Sequence, residues 1–403
     1  MKVAGTIDAA ASASAGGRQA GMDIDRRFPS IALMAAAAER RIPRFAWDYL
    51  SGGIGREAVL AENGARLDRV RLRPRYLVAD AEAPDLSQAL LGQDYSLPFG
   101  VAPLGLSGLI WPAAAEHLAR AAKHRGIAFA LSGVATSSIE QIGAIGGHIW
   151  YQHYAFADNE INADLLRRAQ ASGFETLVVT VDIPTATRRD RDIRNGLSVP
   201  PAFNLRTLLD IVQRPTWALA MLRAGAPEFE SLKPYLPGNL SLAQLGGHIA
   251  QLLEGHVSRE KLRWYRVHWP GMLIVKGILD ADDAAACVDI GVDAIVVSNH
   301  GGRQLDAAQT AIDALPAIRR TVGADFPLLA DGGIRNGLDI ARYLALGVDY
   351  VLLGRAFMFA LGALGARGPM HAMTILQAEL RSTMGQLGCP SISQLPEFLI
   401  REE

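Results

Sequence analysis

From residue 97 onward the chain alternates between two hydrophobic rhythms. Short apolar runs recur at 99–102, 128–131, 149–154, 177–181, 273–275, 294–297, 327–330 and 350–353. Several are unbroken Val/Ile/Leu segments, which suits strands buried on both faces of a parallel sheet better than strands with one wet face. The stretches between most of them carry the 3.6-residue period of helices, for example 114–123, 164–171, 281–289 and 337–346. These helices run into Gly126, Gly173, Gly291 and Gly347, the residue type that accepts a left-handed C-cap. Eight strand–helix units with these stops predict an α/β fold, a closed (β/α)8 TIM barrel, over an open doubly wound sheet.

Three stretches break the rhythm. Residues 22 to about 75 precede the barrel and read as helices ending in an extended arm. Residues 1–21 are rich in Ala, Ser and Gly, lack the apolar core of a secretory signal, and read as a disordered leader. A long insertion, about 190–265, follows strand four, with Pro200, Pro201, Pro227, Pro234 and Pro237 scattered through it. A connection of that length argues against a barrel unless it is functional. It leaves the end of a strand where barrel active sites are built, so a lid or docking segment is expected. Within it, 215–219 with Met221 and Leu222 form an apolar stripe, which suits either packing on the protein itself or on a neighbouring subunit, or contact with a membrane surface. The segment 205–222 is interrupted by Arg206, Asp210, Gln213, Arg214 and Pro215, so it can lie on a bilayer but not cross one.

Composition narrows the function classes. A chain of 403 residues would ordinarily suggest several domains, but a barrel absorbs such a length in one, here 22–403. With 40 basic and 41 acidic residues there is no basic excess to bind nucleic acid. Cys287 and Cys389 are too few for a disulfide framework and have no metal-ligand spacing, which fits a reducing cytosol and predicts no metal site.

Chemistry concentrates at strand ends. Directly after strand six stands Ser298-Asn299-His300-Gly301-Gly302-Arg303-Gln304-Leu305-Asp306. His300 can act as a general base near neutral pH if a carboxylate orients it, and Arg303 offers a planar fork suited to a substrate carboxylate. Asp331-Gly332-Gly333-Ile334-Arg335 after strand seven and Gly354-Arg355 after strand eight combine exposed backbone N–H groups with two arginines, the pattern of a phosphate site. Lys276, ending strand five, points into the barrel mouth and needs an anionic partner. A bound anion or a neighbouring acid such as Asp182 would serve equally. Gln152 and Tyr154 end strand three, and Thr180 and Asp182 end strand four, which places amide, hydroxyl and carboxylate groups around one mouth.

The motif at 298–306, with Val275-Lys276-Gly277, Asp331-Gly332-Gly333 and Gly354-Arg355 in order, resembles the FMN-dependent 2-hydroxy acid dehydrogenases and oxidases from about residue 22 to the C-terminus. Residues 105–112, Gly388-Cys389-Pro390 and the long insertion are most similar to the membrane-associated, quinone-linked members that act on lactate and mandelate. The resemblance implies FMN as cofactor and oxidation of a small L-2-hydroxy acid to the 2-oxo acid. It implies electron transfer to a quinone or another acceptor, with oxygen as the alternative that would make the protein a peroxide-forming oxidase. A non-catalytic barrel that merely binds a phosphorylated ligand is the alternative from another class. It further implies a homotetramer, cytoplasmic or peripheral on the inner face of a membrane.

By the same resemblance His300 removes a substrate proton while Asp182 holds its ring. Arg189, Arg303 and the hydroxyl of Tyr49 bind the carboxylate, and Tyr154 hydrogen-bonds the developing oxo group. Lys276 stabilises charge on the reduced flavin. Ser132, Gln152, Thr180 and Ser298 contact the ring region, with Pro103, Leu104 and Gly105 lining it. Asp331, Gly332, Gly333, Arg335, Gly354 and Arg355 hold the ribityl chain and phosphate. Two places in or beside the site depart from the family pattern. His153 replaces a usual apolar residue, and Gly133-Val134 with Gly105 leaves room for a substituent bulkier than that of glycolate.

Overall fold

The computed structural model describes residues 23–77, 83–196, 205–237 and 251–400, so the leader at 1–21 and the Pro200–Pro201 pair lie outside the described residues. Eight strands form one closed parallel barrel: β1 Phe99–Val101, β2 Phe129–Ser132, β3 Ile149–Tyr154, β4 Thr176–Thr180, β5 Met272–Ile278, β6 Ala294–Val297, β7 Leu328–Asp331 and β8 Tyr350–Leu353, with β8 pairing back onto β1. These are the eight apolar runs read from the sequence, displaced by at most a few residues at their ends. Their Val, Ile and Leu side chains are buried on both faces because the lumen lies on one side and a ring of helices on the other.

The helices in chain order are α1 Ile31–Arg41, α2 Arg44–Ser51 and α3 Ala58–Arg69 in the arm, then α4 Ala114–Arg125, α5 Ile139–Ile145 and α6 Asn159–Ala171. The insertion carries α7 Asp190–Arg194, α8 Leu205–Val212 and α9 Pro215–Ala224. There follow α10 Arg259–His268, α11 Ala281–Ile290, α12 Ala311–Val322, α13 Gly337–Ala345, α14 Arg355–Leu364 and α15 Gly368–Leu387. Helix α10 takes the ring position between β4 and β5, so the inserted chain precedes it. All four glycines expected at helix ends have positive φ.

One end of the barrel is sealed. Within the lumen Ala128 and Ala130 make room for Trp150 and Tyr350, and Tyr95, delivered by a short hairpin (Gln88–Leu90 with Gln93–Tyr95), packs edge-on against Trp150 and tilted against Tyr350 at centroid separations of 6.3 and 5.1 Å. The Tyr350 hydroxyl donates to the Phe99 carbonyl at 2.8 Å and accepts from the Ala128 amide at 3.1 Å. This aromatic plug is buried and hydrogen-bonded, leaving the opposite, C-terminal mouth as the place for a ligand.

The insertion lies beside that mouth and packs in two ways. Trp217 of α9 is buried edge-on against Phe45, and its indole nitrogen donates to the Leu109 carbonyl at 3.2 Å. The apolar stripe expected to act as one surface is therefore divided, because Trp217 turns inward while Leu219 and Leu222 stay exposed. Helix α8 docks on the arm through Asp210, which accepts from the Arg44 amide at 2.5 Å, and leaves Leu205, Leu208, Leu209 and Val212 facing out.

Candidate active site

The C-terminal mouth opens into a cavity of about 520 Å³ lined from the ends of β1, β3, β4, β5, β7 and β8, the loop after β6 and the arm. His300 stands in the turn after β6 at φ 55, a left-handed conformation that a β-carbon disfavours. The turn is held from several sides. The His300 amide donates to Ser298 Oγ at 3.0 Å, and the Asn299 side chain exchanges both amide hydrogen bonds with Asn63 of α3, at 2.8 and 3.2 Å. His300 Nδ1 lies 2.8 Å from Asp182 Oδ1.

Burial pushes the Asp182 carboxyl upward, but His300 and Lys276 outweigh it and hold the group below its ordinary range. An ionised carboxylate can only accept, so His300 Nδ1 donates in this contact and Nε2 is the ring nitrogen left for the cavity. Glycine is required at position 277 for this pair to form. Its φ is +106, and a β-carbon there would come within 2.6 Å of the Asp182 side chain.

Opposite lie the two arginines. Arg303 stacks over the Tyr49 ring at 4.9 Å, and its Nη1 donates to the carbonyls of Tyr49 and Gly52 at 2.8 and 3.1 Å. Its Nε–Nη2 edge meets no acceptor among the described residues. Burial, and then the nearby Arg189 charge, press the Arg303 pKa down. Arg189 approaches Asp192 at 3.5 Å and keeps a buried Nε without a partner. Two guanidiniums held close in a cavity call for an anion with two oxygens. The Tyr154 hydroxyl faces the same space, its pKa raised by burial and then by Asp182, so it is a neutral donor at any working pH. The Tyr49 hydroxyl donates to the Gly105 carbonyl at 3.1 Å.

Lys276 corrects the sequence reading of its neighbours. Its ammonium pairs with Asp331 at 3.0 Å and donates to Ser298 Oγ at 2.8 Å, so its anionic partner within the protein is Asp331 rather than Asp182. Burial alone would lower its pKa, yet Asp331 and Asp182 together raise it. Asp331 keeps a second buried oxygen with no partner.

Arg355 differs more from expectation. Its three guanidinium nitrogens donate to the carbonyls of Leu50, Gly301 and Gly52 at 3.2, 2.9 and 2.9 Å, tying the arm to the β6 turn. Its side chain is thus a fastener as well as a charge at the corner where the sequence reading expected a phosphate. Around it Gly332 and Gly333 turn at φ 103 and 79, Gly354 starts α14 without a side-chain cap, and Arg335 lies over the Phe359 ring at 5.5 Å. Burial, then Arg303 and Arg335, drive the Arg355 pKa well down, the signature of cations gathered without enough acid to balance them.

These features fit FMN. A capless helix N-terminus beside buried arginines suits a phosphate, and the orphaned Asp331 oxygen suits a ribityl hydroxyl. Thr180 Oγ1, on the cavity wall, is likewise buried without a partner and suits a polar edge of an isoalloxazine ring. Pro103, Leu104 and Gly105 line the cavity as expected. Ser132, Gln152 and Ser298 do not reach its wall: Ser132 donates to Gln152 Oε1 at 2.9 Å one layer deeper, and Ser298 supports Lys276.

Sequence reasoning missed three contributors. Asn63 carries no local signal, since only the fold brings it to Asn299. Asp192 stands among the charged residues 188–194, where nothing local marks it; its pKa is raised by burial against the opposing Arg189 and Arg303. Leu253 of the insertion lines the cavity although it is far along the chain from every motif.

Residues 38–402 match the family model described as FMN-dependent dehydrogenase. An L-lactate dehydrogenase of Pseudomonas syringae pv. syringae (strain B728a) is 41% identical over 367 residues, covering 91% of this chain and 96% of that protein. One from Ectopseudomonas mendocina (strain ymp) is 40% identical over 370 residues, covering 91% and 97%. The solved structure of a monotopic membrane protein, (S)-mandelate dehydrogenase, superposes with a TM-score of 0.88 at 35% identity, covering 93% of this chain and 99% of that one. A mandelate oxidase superposes with a TM-score of 0.78 at 33% identity, covering 93% and 98%.

Proposed function

The chain belongs to the family of FMN-dependent dehydrogenases, and on that premise we propose that it oxidises a small L-2-hydroxy acid, lactate- or mandelate-like, to the 2-oxo acid. The observation that carries the reading is the His300–Asp182 pair at 2.8 Å, opening on the same cavity as Arg189, Arg303 and Tyr154. A base facing a carboxylate clamp is what an acid bearing a hydroxyl beside its carboxylate requires.

Each residue then has a task. The free edge of Arg303 and the orphaned Nε of Arg189 grip the carboxylate, fixing C2 relative to the base. Nε2 of His300 takes a substrate proton, and Asp182 stabilises the imidazolium that results. The Tyr154 hydroxyl donates to the substrate oxygen as it becomes an oxo group. Lys276, kept protonated beside Asp331, would offset the negative charge that a bound flavin gains on reduction. Bound FMN would take up the two electrons and pass them to a quinone or another acceptor.

The contact of α8 with a membrane surface is part of the same proposal. No helix among the described residues is long and apolar enough to cross a bilayer, but Leu205, Leu208, Leu209 and Val212 present one exposed apolar face. A relative whose structure is called a monotopic membrane protein supports it. We further propose that 22–403 act as one catalytic domain and that the working form is a homotetramer. The experiment is anaerobic titration of the purified yellow protein with L-lactate, (S)-mandelate and their enantiomers. Bleaching by the L-series alone is the expected result, and a flavin unmoved by any hydroxy acid rejects the reading. Rapid reoxidation of the bleached protein by air would select oxygen as acceptor instead.

A further inference from the structure

His153 has no part in the reaction so far, yet it anchors a buried network. Tyr154 faces the cavity, while His153, fully buried, turns outward between β3 and the helices. Its Nε2 lies 2.8 Å from Asn162 Oδ1, and Tyr265 of α10 donates to that oxygen at 3.0 Å. The Asn162 amide group donates to the Phe156 carbonyl at 2.8 Å, and the Phe156 amide donates back to Asn162 Oδ1 at 2.9 Å. Lys261, also of α10, donates to the same Phe156 carbonyl at 2.9 Å and pairs with Glu254 at 2.6 Å. The strand exit at 155–157 is therefore fixed from behind, and the end of the insertion is fixed to it.

That end pairs with the exit as a short antiparallel ladder. Ala157 donates to the Leu252 carbonyl at 3.1 Å, Glu254 donates to the Ala155 carbonyl at 2.9 Å, and Leu253 bridges Phe156. Gly255, at φ +78, presses so close to the Pro184 carbonyl that a β-carbon would lie 2.9 Å from it. Leu253 is thus held between the exits of β3 and β4, two residues beyond Tyr154 on one side and beside the 183–186 loop on the other. Its side chain lines the cavity there with Ile183 and Ala186.

We propose that Leu253 is a specificity-determining residue, the wall against which the apolar substituent on substrate C2 packs, and that the Lys261–Glu254 pair is what positions it. The inference rests on the function proposed above. A tetrahedral C2 whose carboxylate meets the arginines, whose hydroxyl meets His300 and Tyr154, and whose hydrogen faces the ring has one direction left. The wall between the β3 and β4 exits, beside Tyr154, offers Ile183, Ala186 and Leu253 as apolar surface for that substituent, in addition to the room left at Gly105 and Val134. The insertion then does more than lie beside the mouth, since its last residues set how large a substituent the mouth accepts.

The test uses the full holoenzyme with Leu253→Ala and Leu253→Phe. Anaerobic bleaching gives kcat/KM for L-lactate, L-2-hydroxybutyrate, L-2-hydroxy-4-methylpentanoate and (S)-mandelate. Calorimetry gives Kd for the unreactive acids acetate, 2-methylpropanoate and phenylacetate. Leu253→Ala should move the bulky-to-small ratio in favour of bulk by about tenfold or more, and Leu253→Phe should move it the other way, since a few methylenes in an apolar pocket are worth that much. Bleaching with a ratio changed less than twofold in both variants overturns the inference and leaves the reaction standing. No bleaching, with carboxylate affinities still re-ranked, upholds the wall and sinks the reaction. The double variant Glu254→Gln/Lys261→Met removes the pair without stranding a charge. It should raise KM for the bulky acids with kcat for L-lactate unchanged, whereas wild-type KM values in it would reject the pair as the positioning element.

Discussion

The proposed base role of His300 Nε2 rests on Asp182 occupying Nδ1, and Asp182 stays ionised because His300 and Lys276 flank it. Replacing His300 with Ala should leave FMN absorbance intact and lower the rate of anaerobic bleaching by a factor on the order of 1,000 or more, as loss of a general base from a cooperating set does. A rate within tenfold of wild type would remove it from the mechanism. Arg303→Lys keeps the charge but loses both the stacking on Tyr49 and the two-pronged edge, so steady-state kinetics should show KM raised by about tenfold or more and kcat lowered. His153 supplies a stability test. Burial holds its pKa down to about 4, against 6.5 in the unfolded chain. Below pH 6.5 the unfolded chain therefore binds a proton the folded one refuses, and stability falls until pH 4. The loss should reach roughly 3 kcal/mol across that window in urea midpoints, and His153→Gln should lack this component of the decline. His300, Arg303, Tyr154 and Asp182 were legible before any fold was known because they end apolar runs. Asp192 and Asn63 were not, since nothing near them in sequence marks residues that a fold carries to a cavity from elsewhere.

Among the elements, the barrel strands and their glycine-stopped helices followed from periodicity alone. Periodicity gave the arm only as helices before the barrel, and the family resemblance added Tyr49 as a residue of the site. Its role as a wall of the site depends on contacts across 236 residues, such as Asn63 with Asn299, and on the three carbonyls gathered by Arg355. Gly302 is where arm and turn meet most closely, at φ +76 with a would-be β-carbon 2.8 Å from Leu60 Cα. Gly302→Ala should lower thermal stability by about 1–3 kcal/mol and raise KM, both from displacement of α3. The insertion was legible as a functional departure but not in its division of labour. A stripe read as one face separates because Trp217 finds an indole acceptor in Leu109 while Leu219 and Leu222 stay exposed. Leu208→Gln with Leu209→Gln should weaken co-flotation with anionic liposomes by about tenfold or more, leaving bleaching kinetics in solution unchanged. Unaltered flotation would locate any membrane contact elsewhere.

At the scale of the whole molecule, one barrel end is closed by Tyr95, Trp150 and Tyr350 and the other is built from eight strand exits, an arm and an insertion. Closing one end concentrates the polar residues at the other, and the same asymmetry was visible in the sequence as motifs that always follow, never precede, the apolar runs. What periodicity could not supply was the partition of charge inside the mouth: that Asp331 answers Lys276, and that Arg355 fastens backbone as well as adding charge. The central claim is that a flavin and a 2-hydroxy acid meet between His300 and the two arginines. A crystal structure of the protein with FMN and pyruvate or benzoylformate tests it most directly. The account predicts the ligand carboxylate within hydrogen-bonding distance of Arg189 and Arg303, and its oxo group within reach of His300 Nε2 and Tyr154. A ligand seated away from His300, or a phosphate held anywhere but the Gly333–Gly354 corner, would contradict it.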